Sequence, residues 1–292
     1  MTMIETRRLT VEGITTSALV GGAGRPGEAV VFVHGNPDCG SDWMPLMTRV
    51  APMATVIAPD LPGFGAAGER PNRDYTVASY ARFLDGVIRQ LGIDRVHLVA
   101  HDFGGPFAAA WAADHPANVA SVTFINTGVL LEYRWHRMAR LWRTPVLGEL
   151  VMRRTNRAVA RAMLARDNPG LPAQWVDTIV SHLMPTKTRR AVLRLYRSTR
   201  SQDMDNLAAR LREHDHDALV LFGAADAYIP VEQAHRQVRA FPRADIRVLP
   251  GLGHWCWLES TDEVAAPLIG FLRGIGLGDS GGKTDQHRRA GT

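Results

Sequence analysis

The chain has 292 residues, 46% of them hydrophobic, a formal net charge of +5 and two cysteines, Cys39 and Cys256. That is apolar sequence enough for one large core, but two cysteines are too few for a disulfide framework or a cysteine-built metal site, and no apolar run is long enough to cross a bilayer. The opening MTMIETRRLTVEG lacks the apolar h-region of a secretory signal, so the expectation is a soluble protein of the reducing cytoplasm without stable membrane association.

Short β-rich runs alternate with helical patterns, as in a mostly parallel sheet covered by helices on both faces. Strands are predicted at residues 8–12, 15–20, 29–33, 55–58, 96–100, 121–126, 218–222 and 246–249, and helices at 80–91, 106–113, 231–240 and 262–272. Roughly 90 residues separate the sixth and seventh strands. They are rich in Arg, Leu and Met at helical spacing and too many for a loop, so they read as a helical cap over the carboxyl edge of the sheet. The predicted division is a core at 1–128 and 212–275, a cap at 129–211, and a polar, Gly-rich, disordered tail at 276–292. Between Val129 and Leu211, 15 Arg and one Lys face six Asp and Glu, leaving the rest of the chain net negative. Arg134, Arg137 and Arg140 alternate with Trp135, Met138 and Leu141 at helical spacing, which reads as a solvated helix face and not as a nucleic-acid surface.

The motifs fall at strand ends. Gly22–Gly27 lacks the Lys-Ser/Thr of a phosphate-binding loop. His34-Gly35-Asn36-Pro37 follows the third strand, on its plainest reading as a turn. Gly63–Gly68 has GxGxxG spacing but runs into ERPNRDYT, not into an apolar helix, so the dinucleotide reading fails. The fifth strand ends in Ala100-His101-Asp102-Phe103-Gly104 before a helical run. Small residues two places either side of one projecting residue make the sharp strand-to-helix turn that presents a nucleophile. A carboxylate there attacks saturated carbon and is later released from its ester; attack on an ester would give an anhydride, which is uphill. The expected substrate therefore carries its leaving group on sp³ carbon, as an epoxide oxygen or a halide. The Glu213–Asp217 run, EHDHD, lacks helical ligand spacing and reads as a solvated linker, so no metal is expected. Asp226 follows the seventh strand and His254, in a Gly-rich loop, follows the eighth.

Together these motifs resemble the α/β-hydrolase fold from about residue 5 to 275: an eight-stranded, mostly parallel sheet with an inserted helical cap and the order nucleophile, acid, histidine. The resemblance implies Asp102 as nucleophile, His254 as the base that activates water, and Asp226 as the acid orienting it. Asn126, at the alternative place for the acid, carries no negative charge. Asn36 and Phe103 would supply the oxyanion-hole N–H groups, and Pro37 a cis bond. No cofactor is implied.

Two groups with an aspartate nucleophile are similar, epoxide hydrolases and haloalkane dehalogenases. A halide site uses a Trp directly after the nucleophile; Phe103 has no N–H, although Asn36 could serve as one donor. The Arg residues that fluoroacetate dehalogenases carry after the nucleophile are absent from HDFGGP. Epoxide hydrolases protonate the leaving oxygen from cap tyrosines. Tyr196, 30 residues before Asp226 and followed by Arg, is similar to the second of these. The first should fall near 145–155, where there is no Tyr, leaving Tyr133, His136 or His182 open. His34, Pro37, Trp135, Trp142 and Trp255 are predicted to line an apolar pocket, with Trp175 a further candidate. The resulting expectation is hydrolysis of a small apolar epoxide to a diol, with a haloalkane as the alternative substrate and a non-catalytic ligand-binding relative as a remoter one. A homodimer stays open.

Overall fold

The computed structural model describes residues 3–278. Eight strands, β1 (Ile4–Val11), β2 (Ile14–Gly22), β3 (Glu28–Val33), β4 (Thr55–Pro59), β5 (Arg95–His101), β6 (Val119–Ile125), β7 (Ala218–Gly223) and β8 (Asp245–Leu249), form one sheet. Their order is β1-β2-β4-β3-β5-β6-β7-β8; β2 is antiparallel to both its neighbours and the rest are parallel. All eight predicted strands are present, shifted by a few residues at their ends.

The central strands β3, β5, β6 and β7 are apolar runs buried on both faces, as parallel strands under helices must be. Alternation divides their side chains: Val31 and Val33 enter one core with Phe107 and Tyr80, whereas Val30 and Phe32 enter the other with Trp43 and Leu268. Helices α1 (Met44–Val50), α2 (Val77–Gln90), α3 (Gly104–Asp114), α10 (Glu232–Arg236), α11 (Cys256–Glu259) and α12 (Thr261–Gly274) cover the sheet. Of these, α1 and α11 were not predicted from sequence, and the predicted helix at 231–240 is a short α-helix continued by a 3₁₀ turn. The helix after β5 has every residue from Gly104 to Ala113 buried, because it packs on the sheet and on α2.

Between β6 and β7 lie α4 (Arg137–Arg143), α5 (Leu147–Arg154), α6 (Arg157–Asp167), α7 (Ala173–Leu183), α8 (Thr186–Ser198) and α9 (Ser201–Arg212). The last of them, α9, packs on α3 beside the sheet, where Arg210 pairs with Asp114 at 2.6 Å. Several arginines of this segment donate to helix-end carbonyls: Arg189 to Met152 O (2.6 Å) and Thr155 O (3.0 Å), and Arg197 to Trp142 O (3.1 Å). The positive surplus thus serves in part as fastening between helices. The predicted tail starts too early, since Leu277 is buried against the core and its N–H bonds Leu272 O; residues 279–292 lie outside the described residues. No helix among the described residues is long and apolar enough to cross a membrane.

Candidate active site

At β3 and β5 the strand order reverses, so the loops leaving their carboxyl ends diverge and leave a crevice between them. Asp102 sits at the tip of the turn between β5 and α3 with φ +47°, a left-handed conformation that a non-glycine residue keeps only under tertiary restraint. The restraints are close packing and hydrogen bonds, among them the Gly105 N–H to Asp102 O at 3.0 Å. A Cβ on Gly104 would lie 2.1 Å from Val33 O, one on Gly35 would lie 2.5 Å from Asp102 Oδ1, and Thr127 Oγ1 donates to Asp102 O.

One carboxylate oxygen of Asp102, Oδ1, accepts the Asn36 N–H at 2.8 Å, and the Phe103 N–H also bonds the carboxylate. Both N–H groups expected to form an oxyanion hole thus lie against the Asp102 carboxylate. The other oxygen, Oδ2, stands 3.7 Å from His254 Nε2. Burial pushes the Asp102 carboxyl above its ordinary value, opposed by His254, His101 and the two N–H groups.

His254 Nδ1 bonds Asp226 Oδ2 at 2.7 Å. Asp226 is fixed in turn: Oδ1 accepts the N–H groups of Tyr228 (2.8 Å) and Ile229 (2.9 Å), and Oδ2 accepts Asn126 Nδ2 (2.9 Å). Burial works against the charged Asp226, but the His254 charge and these donors hold it below the ordinary range. Burial alone would lower His254; the charge and hydrogen bond of Asp226, joined by Asp102 and Asp38, lift it to about 9. Asn126 thus clamps the Asp226 carboxylate, and it also ties β6 to β7 through Gly223 N at 3.0 Å.

Sequence reasoning missed a buried network behind the turn. Asp38 Oδ2 bonds His101 Nδ1 (2.9 Å), its Oδ1 accepts Trp255 Nε1 (2.8 Å), and His101 Nε2 faces His254 O (3.1 Å). Burial opposes the charged Asp38, yet these donors and His101 hold it down at about 2. The only sequence signal was its position directly after His34–Pro37.

A cavity of about 1060 Å³, its open mouth included, lies over Asp102. Asn36, Pro37, Phe103, Trp135, Trp142, Tyr196, His254 and Trp255 line it as predicted, and the Asn36–Pro37 bond is cis. Two expected pocket residues do not line it. His34 is buried beside the loop, where Nε2 accepts Leu61 N–H at 3.0 Å and Nδ1 bonds Gly35 O at 2.9 Å, so it ties two loops together. Trp175, on α7, packs against the cluster that holds Val30, Phe32 and Trp43 and does not line the cavity.

Tyr196 is buried on α8 with its ring edge-on to Phe103 at 4.9 Å between centroids. Its hydroxyl lies 3.4 Å from Asn36 Nδ2 and 3.5 Å from His136 Nε2. His136 caps α4, its Nδ1 accepting Ala139 N–H at 3.3 Å, which leaves the ring proton on Nε2, toward Tyr196. Burial, helped by the His254 charge, pushes His136 down to about 4, so it is neutral at pH 7; burial and the Asp102 charge push the Tyr196 phenol well up. Of the three residues left open in the cap, His136 meets Tyr196, Tyr133 donates to Tyr228 O at 2.9 Å, and His182 lies outside this cavity, bonded to Asp42 at 3.1 Å.

The family model for the alpha/beta hydrolase fold matches residues 28–261. A haloalkane dehalogenase of Mesorhizobium japonicum is 32% identical over 268 residues, 86% of each chain. Among solved structures, DBJA in its delta mutant form superposes with a TM-score of 0.80 at 27% identity, covering 93% of this chain and 99% of that one. The Cif epoxide hydrolase from Acinetobacter nosocomialis, at 18% identity, shares the fold with a TM-score of 0.81 over 92% of this chain and 89% of that one. The chain belongs to the α/β-hydrolase fold family and is a hydrolase.

Proposed function

We propose that the protein opens an epoxide to a diol through a covalent ester on Asp102. The observation that carries this reading is the donor cluster in the cavity: the Tyr196 hydroxyl, with Asn36 Nδ2 at 3.4 Å and His136 Nε2 at 3.5 Å, beside a Phe103 ring that has no N–H. An alkoxide leaving group needs a proton, and a buried phenol backed by two N–H donors supplies one. Asp102 Oδ2 attacks the ring carbon, the carbon–oxygen bond breaks, and the released oxygen takes the Tyr196 proton.

Ester formation removes the Asp102 charge, one of the influences that lift His254 to about 9. Losing that charge lowers the His254 pKa, so the neutral form, the one able to act as a base, gains population at the step that needs it. It takes a proton from a water that attacks the ester carbonyl. The oxyanion develops at Oδ1, on the N–H groups of Asn36 and Phe103. Collapse releases the diol oxygen, which takes the proton from His254, and the proton left on the Asp102 carboxyl restores the Tyr196 phenol.

A second reading, dehalogenation with the same nucleophile, is favoured by the 32% identical relative and by Asn36 Nδ2. It has fewer donors to draw on, since the Trp255 N–H is engaged by Asp38 at 2.8 Å. Turnover of a terminal aryl epoxide and of 1-bromobutane separates the two. Diol formation without bromide release is the expected result; bromide release without diol would replace this reading by the second.

A further inference from the structure

Cys39, Asp42 and His182 meet beside a second cavity, which Cys39, Ser41 and His182 line. Cys39 precedes the 3₁₀ turn Gly40–Trp43 of the core and Asp42 lies within it, and His182 is on α7 of the cap. His182 Nε2 lies 3.1 Å from Asp42 Oδ1 and 3.6 Å from Cys39 Sγ, and the three donor atoms all fall within 4.8 Å of one another. Cys39 and Asp42 are buried and His182 is half-buried. Asp42 is aimed by its second oxygen, which accepts Cys39 N–H at 3.0 Å, leaving Oδ1 free to face the cluster. Ser41 Oγ is 3.1 Å from the sulfur, and the adjoining space, lined also by Ser17, Asp60 and Ser181, opens onto it.

We propose that this is a site for a divalent transition-metal ion of the zinc class, clamping the cap to the core. Zinc bonds of about 2.3 Å to sulfur and about 2.0–2.2 Å to nitrogen and oxygen place tetrahedral ligands roughly 3.3–3.6 Å apart. The His182–Cys39 separation matches that edge, and the His182–Asp42 separation is within a few tenths of an ångström of it. Thiolate, imidazole and carboxylate together select zinc or cobalt over magnesium or calcium, which take all-oxygen shells. The three protein ligands leave a fourth position toward Ser41 and the adjoining space, for the hydroxyl or a water.

The clamp has a reach beyond the ion. Helix α7 also gives Ile179, Val180 and Leu183 to the catalytic cavity, and Cys39 is three residues after Asn36. A bound ion therefore fixes one wall of that cavity against the loop bearing the oxyanion-hole N–H. Neither Cys39 nor His182 touches the proposed substrate space, so occupancy acts through position alone.

Cobalt(II) titration of the full chain, freed of metal by a chelator, tests the site. One equivalent should give the thiolate-to-cobalt charge-transfer band together with the intense visible bands of a four-coordinate ion, and zinc should displace it. Cys39→Ser should abolish the charge-transfer band, His182→Gln should weaken binding on the order of 100-fold or more by removing one of three ligands, and Cys256→Ala should leave both unchanged. Zinc should raise the melting temperature of the wild type and not that of Cys39→Ser, whose metal-free melting temperature should equal the wild type's. Absence of the charge-transfer band in the wild type, or its survival in Cys39→Ser, overturns the proposal. Neither outcome depends on which substrate the enzyme takes, so the catalytic reading stands or falls separately.

Discussion

The chemistry proposed for this protein turns on which atoms face Asp102. Its two oxygens have different neighbours, the Asn36 N–H at Oδ1 and His254 at 3.7 Å from Oδ2, so in the proposed reaction one bears the oxyanion and the other forms the bond. In the proposed reaction Tyr196 gives the leaving oxygen its proton. Replacing Tyr196 by Phe is expected to slow alkylation by roughly 10²-fold or more, the usual worth of a general acid, while ester hydrolysis keeps its rate. Single-turnover kinetics with an epoxide separate the two steps, and an unchanged alkylation rate would remove Tyr196 from the mechanism.

At the scale of elements, the site depends on how closely the β3 loop and the β5–α3 turn approach. That approach needs hydrogen atoms where other residues have side chains. Gly35→Ala sets a Cβ 2.5 Å from the nucleophile's own Cβ and Oδ1, so the Asp102 side chain must move off the Asn36 N–H. Activity should fall on the order of 10²-fold, as expected when a reacting group shifts by about an ångström, and the melting temperature should fall with it, because the same Cβ meets the His101 carbonyl at 2.8 Å. Unchanged activity would mean that this close approach does not position Asp102. Reading elements from sequence worked where periodicity was strong. The apolar runs of β3, β5, β6 and β7 and the amphipathic α2 were legible, and so were Asp102, Asp226 and His254 as candidates, each in a loop that follows a strand; Tyr196, on α8, was suggested only by its spacing from Asp226. The short α1 and α11 were not: seven and four residues carry too little period to read. Asn126 was legible only as a missing charge, because the bond that gives it a role crosses to Asp226, 100 residues away.

Across the whole molecule, buried ion pairs link folding to pH. His254 is lifted from 6.5 unfolded to about 9 in the folded chain. A raised pKa contributes stability that is fully present below pH 6.5 and is lost as pH rises through 9. The difference corresponds to at most about 3 kcal/mol. His182, lifted to about 11 by its Asp42 and Cys39 bonds against the pull of burial, adds a loss of the same sign. Urea unfolding in chelator should therefore show the wild type less stable at pH 9 than at pH 6, and Asp226→Asn should lose less over the same interval. Equal losses would mean that the Asp226–His254 pair is not the ion pair described here. The same whole-molecule view explains why the Cys39–Asp42–His182 cluster escaped sequence reading: His182 is 143 residues from Cys39, and only the seating of the cap brings them together.

The proposed covalent ester on Asp102 can be trapped in His254→Ala exposed to a panel of epoxides and bromoalkanes and read by intact-mass analysis. Without its base the enzyme should hold the ester, so a mass increase equal to one whole epoxide is expected, absent when Asp102 is also Asn. An alkyl adduct lacking bromine would assign the enzyme to halides, and an epoxide adduct that persists in the Asp102→Asn variant would contradict the mechanism itself.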